Sequence, residues 1–289
     1  MLMKFMRLSR RRVFRLWVGG VLSMLVVCCL LGVTLLILNL TRPDVPPALP
    51  EPTPPDSAAS SGEEADDTAS VYAAHPRVLG QTADAGQGYL DRLIFVGEST
   101  TAHLRSRGVL SGGTKTQQVW SNRENTMTLD LNILQKTICY PATGEDMTIA
   151  QATALSKPDF LVLSFGVNGL NTFEKNRELY QIAYGRLIDA IHQASPSTVV
   201  LLQTVYPVAS NQQTFAQGAQ ATNRAIDQLN ESLLVIAQKH DAYVVDTASV
   251  LKDERGMLDA EYQNGDGLHL QRVAYERILT YLRTHAYGG

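Results

Sequence analysis

The sequence predicts an α/β protein, a three-layer doubly wound sandwich with a mainly parallel sheet, preceded by one N-terminal transmembrane helix. From about Gly88 onward, short uninterrupted apolar runs alternate with longer amphipathic segments. Runs of the first kind are typical of parallel strands that are buried on both faces. Regular alternation of strands and helices favours a doubly wound sheet. Near the N-terminus, an uncharged apolar run is long enough to cross a bilayer as a helix.

Four strands and four helices are predicted in the outer domain. The strands are RLIFVG at 92–97, DFLVLSFG at 159–166, STVVLLQTVYP at 197–207 and AYVVD at 242–246. The helices are Glu145–Ser156, Thr172–Ala194, Ala216–Lys239 and Leu270–His285. Lys157-Pro158 and Ser195-Pro196 end the first two helices, because the residue before proline disfavours the helical conformation. Between 114 and 141 the pattern is ambiguous: TQQVW is a candidate second strand, and NILQKTICY fits neither pattern.

Composition excludes several classes of function. The chain has 289 residues, 25 basic and 28 acidic, and a net charge of -3. This balance provides no basic surface for nucleic acid, so no nucleic-acid partner is expected. Cys28 and Cys29 lie in the apolar run and Cys139 stands alone. No Cys/His spacing resembles a zinc site, so we expect neither a metal nor a cofactor.

The N-terminal part divides into three regions. Residues 1–15 form a basic tail, 16–40 a transmembrane helix, and 41–87 a Pro-rich acidic stalk; 88–289 form the outer domain. Basic residues remain on the cytoplasmic side, which predicts a single-pass membrane protein with an extracytoplasmic domain. A cleaved signal peptide is the alternative, but its apolar core is usually shorter, and NLTRPDVPP is a poor cleavage site. The stalk has too few large apolar residues to fold.

A serine follows the first predicted strand in LIFVGESTT, residues 93–101. Serine between a strand and a helix is commonly a helix N-cap. At the carboxyl edge of a parallel sheet, however, Ser99 is also placed to act as a nucleophile, with helix N–H groups nearby. The chemical interpretation requires a base within reach of the hydroxyl.

Two of the six histidines follow an aspartate by three residues. Asp189 and His192 fall in a long predicted helix, where such a pair is usually a solvated surface contact. Asp266 and His269 lie in a Gly-flanked loop after the last strand, at the expected catalytic edge. We therefore expect His269 to be the base and Asp266 to orient it.

The remaining histidines are less suitable bases. His103 is expected to point away from the edge on the helix after Ser99. His240 precedes a strand and so lies at the wrong end of the sheet. His75 falls in the stalk, and His285 lies near the C-terminus.

Asn168 lies between Gly166 and Gly169 at the end of the predicted strand DFLVLSFG, in the loop Gly-Val-Asn-Gly. Such an Asn is usually a turn residue, but here its amide could donate to an oxyanion beside Ser99. Gly-x-Ser, Gly-x-Asn and Asp-x-x-His, in this order, resemble the blocks of the SGNH (GDSL-type) hydrolases. The resemblance covers Gly88 to about Tyr287.

The resemblance implies four roles. Ser99 is the nucleophile, His269 the base and Asp266 the orienting acid. Asn168 and the backbone of Ser99 are the oxyanion donors.

The chain departs from the family pattern at two places. The usual Gly-Asp-Ser is Gly97-Glu98-Ser99 here, and we expect the extra methylene of Glu98 to change structure rather than chemistry. The family also has an oxyanion glycine before the third block. Gly144 in YPATGEDMTIAQA is the preferred match, and the Ser121-Asn122 segment is the alternative.

The resemblance implies acyl transfer from an ester, and the predicted location suggests acetylated cell-envelope carbohydrate as substrate. Two alternatives remain open: an O-acetyltransferase with a multi-span acyltransferase partner in the membrane, and a non-catalytic envelope-binding module. Trp120 and Tyr206 are the candidate residues for stacking on sugar, and packing in the core is the equal alternative for both.

Overall fold

In a computed structural model of the chain, Tyr72 and residues 75–288 are described. The predicted basic tail, the predicted membrane helix and most of the predicted stalk lie outside these residues. Among the described residues, no helix combines the length and the apolar character needed to cross a membrane.

Five parallel strands form the central sheet, in the order β2-β1-β5-β6-β7. They are β1 Leu93–Gly97, β2 Val119–Trp120, β5 Phe160–Ser164, β6 Val199–Gln203 and β7 Tyr243–Val245. All four predicted strands are confirmed, and TQQVW contains β2. Because β2 and β5 flank β1, the loops after these three strands emerge side by side.

The sheet is covered on both faces, as the sequence predicts. Successive side chains of a strand point to opposite faces, and Val96 and Leu161 belong to one buried cluster while Phe95 and Val162 belong to the other. Val96 and Leu161 pack in a cluster with four helices, and Phe95 and Val162 pack in a cluster with three others. This arrangement is the three-layer sandwich.

Seven helices are described in residues 75–288. They are α1 Gly86–Leu90, α2 Ser99–Ser106, α3 Ile149–Ser156, α4 Leu170–Phe173, α5 Arg177–Ala194, α6 Gly218–Lys239 and α7 Arg272–Thr284. The first cluster includes residues of α3, α4, α5 and α6. The second includes residues of α1, α2 and α7.

Two predicted helices differ from the structure by more than two residues in their N-terminal parts. The predicted helix from Glu145 begins at Ile149, because Thr148 caps it in a capping box with Gln151. Residues Asp146–Thr148 instead form β4, which pairs antiparallel with β3, Thr137–Cys139. The predicted helix from Thr172 is divided into α4 and α5, and the Asn176 side chain caps α5 by accepting from Leu179 N.

The folded domain begins before Gly88. Val78 forms a parallel bridge with Val244 beside β7, and Tyr72 is buried in the first cluster. Thr82 N donates to Thr284 O on α7. The expected boundary at Gly88 is therefore too late, because apolar residues at the end of the predicted stalk extend the sheet and the core.

Candidate active site

Ser99 is the first residue of α2 and lies two residues after the end of β1. Gly97 ends β1 opposite Ser164 of β5. Ala102 N donates to Glu98 O at 3.1 Å, which makes Glu98 the N-cap and Ser99 the first helical residue. The Ser99 hydroxyl therefore does not cap the helix. Backbone N–H groups in the first turn of a helix have no intrahelical acceptor, so they can stabilise negative charge beside the hydroxyl.

Ser99, His269 and Asp266 form a hydrogen-bonded chain. Ser99 Oγ lies 3.0 Å from His269 Nε2, and His269 Nδ1 lies 2.7 Å from Asp266 Oδ2. Both distances are within hydrogen-bond range. The structure thus brings together the three residues that the sequence analysis selected. This arrangement can transfer a proton from a hydroxyl to an imidazole whose opposite nitrogen is held by a carboxylate.

The loop that carries His269 is held in place by its own hydrogen bonds. Asp266 Oδ1 accepts from the backbone N–H groups of Leu268 and His269, each at 2.8 Å. Ala209 N donates to Gly267 O at 2.8 Å, which ties the loop to the segment after β6. An added Cβ at Gly267 would collide with the backbone of Gln212, so this close approach requires glycine.

Asp266 is an anion at neutral pH. Partial burial raises its pKa, but hydrogen bonds from the backbone and imidazole of His269 and from Leu268 N outweigh that effect. The pKa of Asp266 falls to about 2. A carboxylate in this state can accept the imidazole N–H and stabilise an imidazolium.

Asn168 occupies the loop after β5, next to the end of β1. Its side-chain Nδ2 donates to Met127 O at 3.0 Å, while its backbone N–H donates to Glu98. An Asn amide has two N–H groups, and the second has no partner among the described residues. Asn168 is exposed, so this donor is accessible to a substrate at the sheet edge.

Gly144 does not offer the donor expected of it. It lies in the turn between β3 and β4 with φ +74°, and its N–H donates to Tyr140 O at 2.7 Å. A donor already used in a turn is not available to an oxyanion. The alternative segment, Ser121-Asn122, directly follows β2 and therefore lies at the same sheet edge as Ser99.

Two expectations about histidines are changed by the structure. His103 does not point away from the edge: its ring centroid lies 4.9 Å from that of His269. Asp189 contacts His240 Nδ1 at 2.8 Å. The aspartate of the Asp189–His192 segment therefore pairs with a histidine 51 residues away. Neither contact has a local signal in the sequence, because each joins residues on separate elements.

The Asp189–His240 pair lies at the other end of the sheet, where α6 leads into β7. These two residues line a cavity of about 260 Å³ between α5 and α6. An added Cβ at Gly185 of α5 would collide with the His240 ring. The imidazole can therefore pack against α5 because residue 185 is a glycine. The pair packs two helices together far from Ser99.

Neither predicted sugar-stacking aromatic is available at the surface. Trp120 is 1% exposed and Tyr206 is 8% exposed. Trp120 packs edge-on against Tyr140, with ring centroids 5.7 Å apart. Packing in the core, the alternative to stacking on sugar, is therefore confirmed for both residues.

The comparisons with known proteins identify the family of this chain. Residues 95–277 match the GDSL-like lipase/acylhydrolase family. Since the match covers more than half of the chain, the chain belongs to this family, and it is an ester hydrolase. A search of curated proteins gave no match.

Three solved structures are similar to this chain. A protein from Streptococcus pneumonia, provisionally described as a platelet activating factor, is 16% identical with a TM-score of 0.50, covering 78% of this chain and 93% of that one. A provisionally described lipolytic protein of the G-D-S-L family from Desulfitobacterium hafniense DCB-2 is 15% identical with a TM-score of 0.47, covering 67% and 98%. A family 3 carbohydrate esterase from Clostridium thermocellum is 16% identical with a TM-score of 0.43, covering 66% and 93%.

Proposed function

We propose that this chain is an extracytoplasmic serine esterase that removes acyl groups, chiefly acetyl, from cell-envelope carbohydrate. The observation that carries the catalytic part is the hydrogen-bonded chain from Ser99 Oγ through His269 to Asp266. The predicted location rests on the basic residues before the uncharged N-terminal run.

In the first half of the reaction, Ser99 Oγ attacks the ester carbonyl carbon as His269 Nε2 takes the hydroxyl proton. Asp266 stabilises the imidazolium that forms. The negative charge on the carbonyl oxygen is stabilised by N–H groups at the start of α2 and by the free N–H of Asn168. The carbon–oxygen bond to the sugar then breaks, and the sugar oxygen takes the proton from His269. An acyl-Ser99 ester remains.

In the second half, water replaces the sugar. The water oxygen attacks the acyl carbon while His269 takes a proton from the water. The bond between the acyl carbon and Ser99 Oγ then breaks. Ser99 Oγ recovers the proton from His269. The carboxylic acid leaves and ionises, releasing its own proton to solvent. Atoms and charges balance without a cofactor.

The exposure of four side chains at the site suits an acyl group carried on a large polymer. Asp266 and Asn168 are exposed, and Ser99 and His269 are half-buried. An ester that projects from a polymer can therefore reach Ser99 without the polymer itself entering an enclosed cavity. This accessibility supports a polymeric substrate, and the predicted location outside the membrane suggests one from the envelope.

The test is hydrolysis by the full-length chain of p-nitrophenyl acetate, p-nitrophenyl octanoate and acetylated muramyl or xylan oligomers. Ser99→Ala should lower kcat by about 10³-fold or more while the fold is retained. Ser156→Ala, at an exposed serine on α3, is the matched control and should retain wild-type activity. Preference for acetyl over octanoyl and for the oligomers over the nitrophenyl ester would support the acyl group and the substrate class.

Three results would contradict the proposal in different ways. Full activity of Ser99→Ala would exclude Ser99 as the nucleophile. If a sugar hydroxyl accepts the acyl group in preference to water, the chain is the O-acetyltransferase. A folded wild type without turnover on any ester would favour the envelope-binding module.

A further inference from the structure

Glu98 is a fully buried carboxyl group beside the proposed nucleophile. The residue is 3% exposed, and an acidic side chain is rarely buried without compensation. Its partners are backbone groups. Glu98 Oε1 accepts from Gly166 N at 2.9 Å, and the two carboxyl oxygens each lie 3.2 Å from Asn168 N.

The loop that receives these bonds is held from two sides. Its first residue, Phe165, is bonded to α5: Tyr184 Oη accepts from Phe165 N at 3.1 Å, and Tyr180 Oη donates to Phe165 O at 2.8 Å. The next part of the loop has no such support from α5, and Gly166 N and Asn168 N donate to Glu98 instead. Glu98 thus completes the set of acceptors for the loop.

Asn168, which donates to Glu98 through its backbone, also supplies the proposed oxyanion donor through its side chain. Asn168 is bonded through its backbone to Glu98 and through its side chain to Met127 O. The backbone of Glu98 in turn continues directly into Ser99. One buried carboxylate therefore connects the residue before the nucleophile to the residue that carries the donor.

We propose that Glu98 is a positioning residue, whose carboxylate holds the loop 166–168 so that the Asn168 amide stays at a fixed place beside Ser99. The proposal rests on the proposed esterase function. Glu98 touches neither substrate nor reacting atoms, and it acts through Asn168. A misplacement of about 1 Å in a catalytic group can cost about 100-fold in rate.

The proposed role depends on the ionised form of Glu98. An ionised carboxylate offers only acceptors to the two N–H groups, whereas a protonated carboxyl or a Gln amide places a donor against one of them. Burial raises the pKa of Glu98 to about 7, against the lowering effects of Gly166 N, Asn168 N, Val167 N and Lys136. Acid should therefore loosen the loop before it unfolds the protein.

The groups that face this carboxyl are few. Tyr180 and Tyr184 approach from α5, and the charge of Glu98 contributes to the raised pKa of both phenols. Lys136 is the cation that acts on Glu98, and it is itself paired with Asp130 at 2.6 Å. Burial raises the pKa of both phenols, so they stay neutral over the assay range, and Glu98 is the buried group of this set whose charge changes near neutral pH.

The first experiment compares Glu98→Gln with wild type in ester hydrolysis. Gln has nearly the same shape, so the variant changes hydrogen bonding without leaving a cavity. We expect kcat to fall about 10- to 100-fold, with KM changed by less than about twofold. The acidic limb of kcat against pH should be steeper in wild type than in Glu98→Gln, because the variant no longer has this titrating group. Glu231→Gln, exposed on α6, is the matched control and should leave kcat unchanged.

The second experiment does not use turnover, so it separates this inference from the proposed function. Amide hydrogen exchange at Gly166 and Asn168 should be faster in Glu98→Gln than in wild type. In wild type itself, the protection of these amides, corrected for intrinsic exchange, should decrease as the pH is lowered from 8 to 5. The wild-type measurement tests the proposal even where the variant does not fold.

The outcomes are distinguishable. Wild-type kcat, an unchanged pH profile and unchanged exchange in Glu98→Gln would overturn the positioning role while the esterase stands. Protection at Gly166 and Asn168 that is independent of pH in wild type would also overturn it. An inactive wild type would contradict the proposed esterase, and the loss of amide protection would then still establish that Glu98 holds the loop.

Discussion

Ser99 Oγ and His269 Nε2 lie 3.0 Å apart although 170 residues separate them in the chain. The serine is placed by the end of β1, and the imidazole by the loop before α7. Tyr275 of α7 donates to Thr100 O at 2.7 Å, so the helix that follows His269 is bonded to the helix that begins at Ser99. The geometry of the site thus depends on how α7 packs against α2.

The two aspartates of the Asp-x-x-His segments allow a matched comparison. Each accepts from a histidine Nδ1: Asp266 from His269 at 2.7 Å, and Asp189 from His240 at 2.8 Å. We expect Asp266→Asn to lower kcat on the order of 10²- to 10⁴-fold, because the imidazole loses its charged partner. Asp189→Asn should leave kcat unchanged. Equal effects of the two substitutions on ester hydrolysis would contradict the assignment of Asp266.

Gly97→Ala should destabilise the domain. An added Cβ would collide with the Ser164 carbonyl oxygen and with Thr101 Oγ1, so β1 would have to move away from β5 or α2. Overpacking of this kind costs about 1–3 kcal/mol of unfolding free energy. Gly80→Ala is the control, because no atom lies within 4 Å of its added Cβ. Urea unfolding of both variants measures the difference, and equal stabilities would show that the sheet edge adjusts freely.

The pH dependence of stability should reveal Glu98. Burial raises its pKa from 4.5 to about 7 in the folded state. The folded protein therefore holds this proton more tightly than the unfolded chain, so the stabilising contribution is full below pH 4.5 and is lost as pH rises through about 7. The lost contribution is on the order of 3 kcal/mol. Glu98→Gln should remove it.

The measurement is the free energy of unfolding of wild type and Glu98→Gln at pH 5 and pH 8. Wild type should lose more stability than the variant between these two values. Because all other groups are shared, the difference between the proteins isolates Glu98. A wild type that gains stability relative to the variant as pH rises would show that the backbone N–H bonds outweigh burial.

His103 should remain neutral beside His269. Burial, with smaller effects from the charges of His269 and Arg107, lowers the pKa of His103 below its ordinary 6.5, and Asp266 opposes this only in part. Its Nδ1 is buried without a hydrogen-bond partner among the described residues. In NMR titration its ring signals, assigned with His103→Gln, should shift with a midpoint below 6.5. A midpoint above 6.5 would mean that a second positive charge forms next to His269 near neutral pH.

The limits of sequence-based prediction are visible in particular elements. The segment Glu145–Ser156 is predicted as one helix, but Asp146–Thr148 pairs with β3 instead, and local periodicity carries no information about a partner strand. The same limit applies to Gly144, which looked like a free oxyanion glycine until the hairpin engaged its N–H. His103 was assigned to the wrong direction because one turn of a helix can rotate a side chain towards or away from a neighbouring loop.

By itself, the sequence determined the α/β class, the four long apolar strands and the identity of Ser99, Asp266 and His269 as candidates. A strand buried on both faces appears in the sequence as an apolar run. The polar loop that follows the strand appears as the residues directly after that run. The tertiary structure alone decided that β1 lies between β2 and β5, that Asp189 binds His240, and that Glu98 binds the loop of Asn168. Each of these contacts joins residues distant in the chain, and it depends on the packing of whole elements rather than on any spacing along one of them.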